Sequence, residues 1–395
     1  MGFIKLTAAV EGKSLIAWVR GSLDMRKTRL AFGIVLIFAV AACRGEDNGF
    51  SGAGTAFETL KSKFTVRPAP APSPTPAPTT TSVTSSPSSL MPYIDVAKIP
   101  APNAGFADKR IRATTDLPSK NADGSGQFRV VCQFSHMSFD DPIVFPGKQG
   151  AAHLHAFFGN TAVNYASTQT SIETTGNSTC SGGTANRTGY WVPAIIDTKD
   201  GAPLKPSTIL VYYKGDILGG ANVKPFPAGL RMIAGDMKSS APQALSDWGC
   251  IAPSGAEQRY TSIPANCPIG FIVETTINFP MCWDGVNLDS PDHKSHMAYV
   301  GWNNDLRVNM CPTSHPVLLP QLTEKVRYQV TEEGSTARWR LASDNYSKDL
   351  PGGYSTHADW FNGWDPKVQE TWVKNCLNAM RDCHADLLGD GTTLF

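Results

Sequence analysis

The chain has 395 residues, enough for two or three domains of ordinary size. Its 35 Lys and Arg residues balance 34 Asp and Glu residues, so the formal net charge is +1. This balance argues against a nucleic-acid-binding protein, which would carry a basic excess. The chain also has 29 Pro and 35 Gly residues, too many for a helical bundle, and 41% hydrophobic residues, which allow a folded core. The composition excludes a coiled coil, a multi-span membrane protein and a fully disordered chain.

The N-terminal region, residues 1–42, has the pattern of an export signal. A basic stretch is followed by an uncharged, mostly apolar run at 30–42, which is shorter than a membrane span of about 20 residues and typical of a signal peptide. Small residues then precede Cys43, and this resembles the bacterial lipoprotein cleavage box, in which the cysteine is lipidated. An ordinary cleaved signal and an uncleaved anchor are the alternatives. We expect the true start at Met25 and an exported protein that its N-terminal lipid anchors in the cell-envelope membrane.

A tether follows the predicted anchor. Residues 43–64 are weakly patterned, and residues 65–92 are rich in Pro, Ser and Thr. A segment of this composition cannot bury a core and favours extended conformers. We therefore expect a spacer that leads into one domain at 93–395, since no second linker is present.

The nine cysteines predict a disulfide framework. With Cys43 set aside, eight remain in the exported domain, and an even set of this kind indicates up to four bridges, whose pairing the sequence does not assign. Cys376 and Cys383 would lie about 10.5 Å apart on a continuous helix. A bridge needs Cα atoms within roughly 7 Å, so we expect them to bond elsewhere unless the helix ends between them. A cysteine-ligated zinc site lacks the usual CxxC pair.

The domain is predicted to be mostly β. Short runs rich in β-branched and aromatic residues alternate with Gly, Pro, Asn and Asp clusters. The predicted strands are 127–134, 154–158, 190–196, 208–213, 271–279, 295–300, 326–330 and 337–341. Eight strands without intervening helices favour a sandwich or jelly-roll-like single domain with long disulfide-stapled loops.

Two loops and one helix complete the expected fold. The Pro- and Gly-rich stretches 214–229 and 239–268 are predicted as loops, stapled by Cys250 and Cys267. A C-terminal helix is expected after Asp365, a suitable N-cap, and through about Cys383.

Histidines in three polar segments are the main functional signal. In the first segment, His153 and His155 point to one face if they share a strand, about 6.7 Å apart along the backbone. Two imidazoles so placed can chelate a divalent metal or bracket a substrate. His155 is therefore also a candidate catalytic residue.

The second segment, residues 282–299, combines carboxylates, imidazoles, a lysine and aromatic rings. A carboxylate can orient a histidine for general acid–base work, and Asp292 with His293, or Asp289 with His296, are the expected pairs. The alternative is a loop charged only for solubility. The candidate catalytic residues here are Asp292 and His296, and the candidate substrate contacts are Trp283, Asp289, His293 and Lys294.

The third segment, residues 352–365, places His357 and Asp359 two residues apart, with Trp360 and Trp364 beside them. His357 and Asp359 are candidate catalytic residues. Exposed tryptophans suit stacking on a sugar ring. The alternative is that both tryptophans are core residues covering the final helix.

These segments carry a resemblance. The runs HLHAFFGN, PAGLRMIAGD, CWDGVNLDSPDHKSHMAY, CPTSHPV and HADWFNGWD resemble the secreted domain-of-unknown-function family nineteen-ninety-six, over about residues 130–385. The resemblance implies an exported, envelope-associated protein with carbohydrate contact, and it implies no mechanism. This chain shows no appended sugar-binding module, and an anchor and tether take that N-terminal place.

Two function classes follow from the residues. In the first, the histidines converge with Asp292 and Asp359 in one cleft and act on a polysaccharide or cell-wall glycan as a hydrolase or lyase, with or without a divalent metal. In the second, the protein is a non-catalytic glycan-binding or adhesive surface lipoprotein, with Trp302 among the stacking residues. A metal-scavenging lipoprotein is a third reading.

Overall fold

The computed structural model describes residues 2–10, 13–21, 90–121, 123–215, 222–304, 307–384 and 386–395. These belong to two compact units, Met1–Thr81 and Ser82–Phe395. In the first unit, the described strands β1 (Gly2–Val10) and β2 (Lys13–Gly21) form an antiparallel hairpin. The predicted signal run, Cys43 and nearly all of the tether lie outside the described residues. Within the described parts, no helix is both long and apolar enough to cross a membrane.

The second unit is mostly β, so the predicted class is confirmed. Its first strands are β3 (Ile111–Ala113), β4 (Ser119–Lys120), β5 (Gln127–Ser138), β6 (His155–Gly159), β7 (Gly189–Pro193), β8 (Ile195–Asp197), β9 (Ala202–Pro203) and β10 (Thr208–Lys214). The middle strands are β11 (Arg231–Gly235), β12 (Ser246–Ile251), β13 (Glu257–Tyr260), β14 (Ile272–Asn278), β15 (Cys282–Trp283), β16 (Met297–Ala298), β17 (Gly301–Asn303) and β18 (Val308–Met310). The last are β19 (Val317–Leu318), β20 (Gln321–Gln329), β21 (Trp339–Leu341), β22 (His357–Phe361), β23 (Arg381–Cys383) and β24 (Thr392–Leu394).

Ten of these strands follow one another in a long, curled antiparallel sheet. Their order is β11-β22-β7-β6-β5-β10-β20-β14-β12-β13, with β23 and β4 attached beside β5. Strand β5 links the two halves, since its residues 127–133 pair with β10 and its residues 134–138 pair with β6. A register shift between Phe134 and His136 marks the place where the partner changes. Bulges of this kind bend a strand, which fits a sheet that curls.

The curled sheet encloses the main hydrophobic core. In β5, β10 and β20 buried and more exposed residues alternate, as expected for strands with one covered face. The inward rings include Phe128, Tyr213 and Trp372, and Phe128 stacks on Trp372 at 4.9 Å between ring centroids. Each such fully buried side chain contributes about 1.5–3 kcal/mol by leaving water.

Strands β6, β7 and β22 are buried on both faces. One face adds to the main core. The other supports a smaller apolar cluster, in which Phe157, Trp191 and Phe361 pack with residues of the loop that follows β5. Polar side chains on this second face are therefore buried between the sheet and a covering loop.

The C-terminal helix begins as predicted and ends earlier. The Asp365 side chain accepts hydrogen bonds from the N–H groups of Lys367 and Val368, which is an N-cap, and α2 (Pro366–Trp372) continues as a π-helical turn (Val373–Leu377). The prediction that the helix reaches about Cys383 is wrong, because the chain reverses at Met380, whose φ is 53°. The remaining helical elements are α1 (Gln169–Thr174) and the 3-10 turns Val96–Lys98 and Ser335–Arg338.

All eight cysteines after the tether form disulfides. The bonds are Cys132–Cys180, Cys250–Cys267, Cys282–Cys311 and Cys376–Cys383. The helix ends at Leu377, between Cys376 and Cys383, which is the exception named for this pair, and the two cysteines bond each other with their Cα atoms 5.7 Å apart.

Several other local predictions need correction. The stretch 239–268 is not all loop, because it contains the hairpin of β12 and β13, which the Cys250–Cys267 bond closes. The predicted strand 295–300 is reduced to β16, and 337–341 begins as a 3-10 turn. Strands β11 and β22 were not predicted.

One end of the long sheet is an edge made by β13. Its first three residues are exposed, and the Arg259 guanidinium is paired with the carboxylates of Glu257 and Asp247. The backbone of this edge is thus flanked by charged side chains.

The disulfides should stabilise the fold to different degrees. The pair Cys132→Ala/Cys180→Ala opens a connection of 48 residues, and Cys376→Ala/Cys383→Ala opens one of 7. All four side chains are fully buried, so the packing loss is matched. Chain entropy then predicts a loss about 1.5–2 kcal/mol larger for the first pair. Urea denaturation of the two variants measures this, and equal losses would contradict it.

Candidate functional site

The candidate site is built on the second face of β6, β7 and β22. Side chains two residues apart on a strand share a face, so His155 and Phe157 lie on one side of β6, and His357 and Asp359 lie on the same side of β22. Strand β7 separates them, with Trp191 paired with both Phe157 and Asp359. The sheet thus brings residues 200 positions apart in the sequence onto one buried surface.

The loop that follows β5 completes the cluster. It leaves the sheet after Ser138, and the Asp141 carboxylate accepts hydrogen bonds from the N–H groups of Ile143 and Val144, which forms a tight turn over the site. The loop returns through His153 to β6. His153 is the partly exposed member of the cluster and faces the solvent side.

Three imidazoles meet at this point. The Nε2 atoms of His153 and His357 are 3.1 Å apart. The ring centroids of His153 and His155 are 4.2 Å apart, and those of His155 and His357 are 5.8 Å apart. One nitrogen from each ring lies within 4.8 Å of the other two, which is close enough for a single metal ion.

Backbone carbonyls orient two of the rings. The Nδ1 atom of His155 lies 3.0 Å from the Asp140 carbonyl oxygen, and the Nδ1 atom of His357 lies 2.8 Å from the Ser355 carbonyl oxygen. A carbonyl only accepts, so Nδ1 carries the proton in both rings and Nε2 presents a lone pair when the ring is neutral. The Nε2 atom of His155 has no hydrogen-bond partner among the described residues.

Two buried carboxyl groups lie beside the imidazoles. Oxygen atoms of Asp141 and Asp359 and a nitrogen of His155 lie within 4.8 Å of one another. Asp359 is fully buried, and in the described structure neither of its oxygens has a hydrogen-bond partner. A buried polar group without a partner is costly, so Asp359 is an unusual residue to retain for folding alone.

Burial sets the ionisation of the cluster. It lowers the pKa of His155 to about 4, and, together with the charge of His155, lowers the pKa of His357 to about 4. Burial and the two neighbouring imidazoles lower the pKa of His153 well below its usual range. Burial raises the pKa of Asp141, and burial reinforced by Asp141 raises the pKa of Asp359 strongly. Near neutral pH the imidazoles are therefore neutral and available as ligands.

Apart from the Lys294 side chain, the predicted residues of the 282–299 segment form a separate network. Asp289 contacts Arg231 and His293, Trp283 donates its indole N–H to the Asn287 carbonyl, and Asp292 accepts from Ser290, Lys294 and Ser295. The expected pairs Asp292–His293 and Asp289–His296 are wrong. His293 pairs with Asp289, and the Nδ1 atom of His296 lies 2.9 Å from the Ser290 hydroxyl oxygen.

His296 is not part of the three-histidine cluster. Its Nε2 atom lies 2.7 Å from the Arg231 carbonyl oxygen, so both ring nitrogens have partners. Arg231 is four residues along β11 from Gly235, which pairs with His357. Four residues of strand cover about 13 Å. The structure thus brings His153, His155, His357 and Asp359 together and places His296 and Asp292 elsewhere.

Trp360 and Trp364 are core residues in this structure. Trp360 faces the main core and packs against Phe226 at 4.7 Å between centroids. Trp364 donates its indole N–H to the Tyr213 hydroxyl. Neither presents a face on which a sugar ring could stack.

A cavity of about 270 Å³ lies one strand away from the cluster, at the edge strand β11. It is lined by Ile233 and Gly235, which pair with Asp359 and His357 respectively, and such cross-strand neighbours lie about 5 Å apart. Lys294 also lines the cavity, and its Nζ atom lies 2.6 Å from the Gly235 carbonyl oxygen. Its positive charge adds to the lowering of the pKa of His357 and offsets part of the rise in the pKa of Asp359. Among the candidate residues of the 282–299 segment, Lys294 is the one whose side chain acts on the cluster.

Asp141 was not among the residues predicted for the site. Asp141 stands at the start of the Pro- and Gly-rich loop that ends in His153. A loop that returns to its own sheet brings its two ends together, so the sequence could have predicted that Asp141 lies near His153.

The fold and cluster define a class: a disulfide-bonded, mostly-β domain with a buried histidine–aspartate group able to hold a metal ion. The chain belongs to the family described as "Domain of unknown function (DUF1996)", which matches residues 141–364 and so contains all five cluster residues. No curated protein and no solved structure matches the chain.

The buried histidines predict a pH dependence for metal-free protein. Because the pKa of His357 is lower in the folded chain, the unfolded chain binds more protons between about pH 4 and pH 6.5. The stability contributed by His357 is therefore complete above about pH 6.5 and is lost as the pH falls toward 4. We expect the difference in unfolding free energy between wild type and His357→Asn to shrink by about 3 kcal/mol over this range.

Urea denaturation in chelator at several pH values measures that difference. The Asn side chain retains an N–H donor for the Ser355 carbonyl. The raised pKa of Asp359 makes stability fall as the pH rises, which opposes the effect of His357, but it is present in both proteins and does not enter the difference. A difference that is independent of pH would contradict the prediction.

Proposed function

We propose that the domain is a metal-assisted enzyme that acts on polysaccharide outside the cell, tethered to the envelope by a lipid on Cys43. The observation that carries the proposal is the convergence of three neutral imidazoles on one point beside two buried carboxyl groups. Three histidines with an open position are the ligand set of many catalytic zinc sites.

The cluster fits a divalent transition metal in two respects. Two nitrogens bound to one tetrahedral metal at 2.0–2.1 Å are about 3.3 Å apart, close to the 3.1 Å between the Nε2 atoms of His153 and His357. Metal-ligating histidines usually donate their other N–H to a carbonyl or carboxylate, as His155 and His357 do. The Nε2 atom of His155, which has no hydrogen-bond partner among the described residues, would then serve as a metal ligand.

The protein's own groups supply the remaining functions. A metal at this site would polarise a substrate oxygen or lower the pKa of a bound water. Asp359 and Asp141 would hold and return a proton, because burial raises the pKa of both carboxyl groups and so favours their protonated form. The Lys294 ammonium lies next to the cavity at β11 and can hold the substrate there.

The disulfides suit an exported protein. Support for a polysaccharide substrate comes from the surface at β11, near the cluster. The cavity at β11 combines apolar residues with Gln243, Lys294 and Tyr299, a mixture that suits a sugar ring.

One observation favours the alternative, glycan binding without turnover. Trp302 is 60% exposed and lines a second cavity of about 240 Å³ with Tyr299. An exposed indole next to polar groups can stack on a sugar.

Metal binding is the first test. Full-length protein stripped with EDTA should bind one Zn²⁺ per chain, and His357→Ala should weaken binding at least about 100-fold, since changes outside the ligand set alone cost 10–100-fold. Isothermal titration and elemental analysis provide the measurements. His384→Ala is the matched control, because His384 lies outside the cluster, and it should bind zinc as wild type does. Equal binding by both variants would show that the cluster does not hold the metal.

Turnover is the second test. On a panel of cell-wall and storage glycans, wild type should release reducing ends or unsaturated products, and EDTA should abolish this. Asp359→Asn keeps the side-chain shape and removes the titrating group, so it should retain zinc and lose about 100-fold or more in turnover. Glycan binding that Trp302→Ala abolishes, without product from any glycan, would support the alternative.

A further inference from the structure

A third cavity, of about 410 Å³, lies apart from the histidine cluster. Three cationic residues, Arg338, Arg340 and Lys348, line it, together with Leu350 and with Tyr93, which is 75% exposed. The volume lies within the range of pockets that enclose small organic ligands.

Arg340 is the unusual residue of this cavity. It is only 6% exposed, its guanidinium lies over the Tyr346 ring at 4.7 Å, and its Nη atoms donate to the carbonyls of Leu350 and Tyr346. Its Nε–H is buried and has no acceptor among the described residues. A buried guanidinium that donates its hydrogen bonds only to neutral carbonyl oxygens would be stabilised by a bound anion.

No carboxylate among the described residues forms an ion pair with Arg340. Arg338 is neutralised by Asp197 and Glu332. Asp344 is close in sequence, but its carboxylate accepts hydrogen bonds from the N–H groups of Leu341 and Gly353 and from Ser355. Within the described residues Arg340 and Lys348 form no ion pair, so the cavity is lined by two cations without a directly bonded carboxylate.

We propose that this cavity is a subsite for an acidic sugar residue, that is, a uronic acid of the glycan on which the domain acts. This rests on the proposed function for the glycan. A carboxylate would pair with the Lys348 ammonium and with the Arg340 guanidinium, which both line the cavity, while the sugar ring would pack against Tyr93. Two other ligands fit less well. A small inorganic anion would leave most of the cavity volume unfilled. A lipid headgroup would be expected to bind cations that point outward from the surface, whereas Arg340 is buried.

The position of the cavity also suits a glycan chain. Gly352 lines it, and His357 of the cluster follows five residues later. Five residues span at most about 18 Å, so the cavity lies within the length of a short oligosaccharide from His357. The subsite would then set which glycans reach the cluster.

Binding to the metal-free full chain tests the proposal independently of activity. Tetragalacturonate should bind to EDTA-treated wild type, more weakly as salt is added, and neutral maltotetraose should not. Lys348→Gln, an exposed position that should not disturb folding, should weaken tetragalacturonate binding about five- to tenfold. Arg340→Met should weaken it further, and Lys367→Gln, an exposed lysine outside the cavity, should have no effect.

Each other outcome overturns the subsite. Equal binding of tetragalacturonate by Lys348→Gln and wild type would exclude the cavity as its site. Binding of inorganic sulfate as tight as that of tetragalacturonate would show a plain anion site. Binding to phosphatidylglycerol vesicles that Lys348→Gln abolishes, with no glycan binding, would show a membrane contact. If tetragalacturonate binds as expected and no glycan is turned over, the metal-assisted enzyme fails and the subsite stands.

Discussion

The central constraint on this domain is the burial of three imidazoles and two carboxyl groups on one face of a sheet. Taking such groups out of water is costly unless hydrogen bonds or a metal replace the water. Two backbone carbonyls, of Asp140 and Ser355, meet part of that requirement and fix the rings with their Nε2 atoms toward one another. The remaining unpartnered atoms, on His155 and Asp359, are the part that a ligand would satisfy.

The architecture explains how the domain tolerates this group. Strands β6, β7 and β22 face the main core on one side, where Phe158, Tyr190 and Trp360 pack, and hold the cluster on the other. The large core supplies the stability, and the loop that carries Asp141 covers the polar face. Stability and chemistry are thus divided between the two faces of the same three strands.

Much of the fold follows from the sequence, because β5, β10 and β14 show the composition that marks strands, and the helix start is set by Asp365 and Pro366. Strand β22 was missed because it is short, buried on both faces and carries His357 and Asp359 where apolar residues are expected. The Cys376–Cys383 bond depends on a chain reversal at Met380, which helix propensity does not reveal.

The site was predictable only in part. The segments with His155 and His357 stood out by composition, but their meeting depends on β7 lying between β6 and β22, which is a property of the sheet order. The same limit applies to His296, whose polar surroundings resemble those of a catalytic residue, although its nitrogens connect its loop to β11.

The β13 edge has a consequence for behaviour at high local concentration. An open sheet edge is a template on which another polypeptide can add a strand, and charged side chains discourage this. With Glu257 and Arg259 on β13, this edge of the long sheet resists extension by a neighbouring copy. A crowded population of such domains can therefore remain dispersed without a partner that covers the edge.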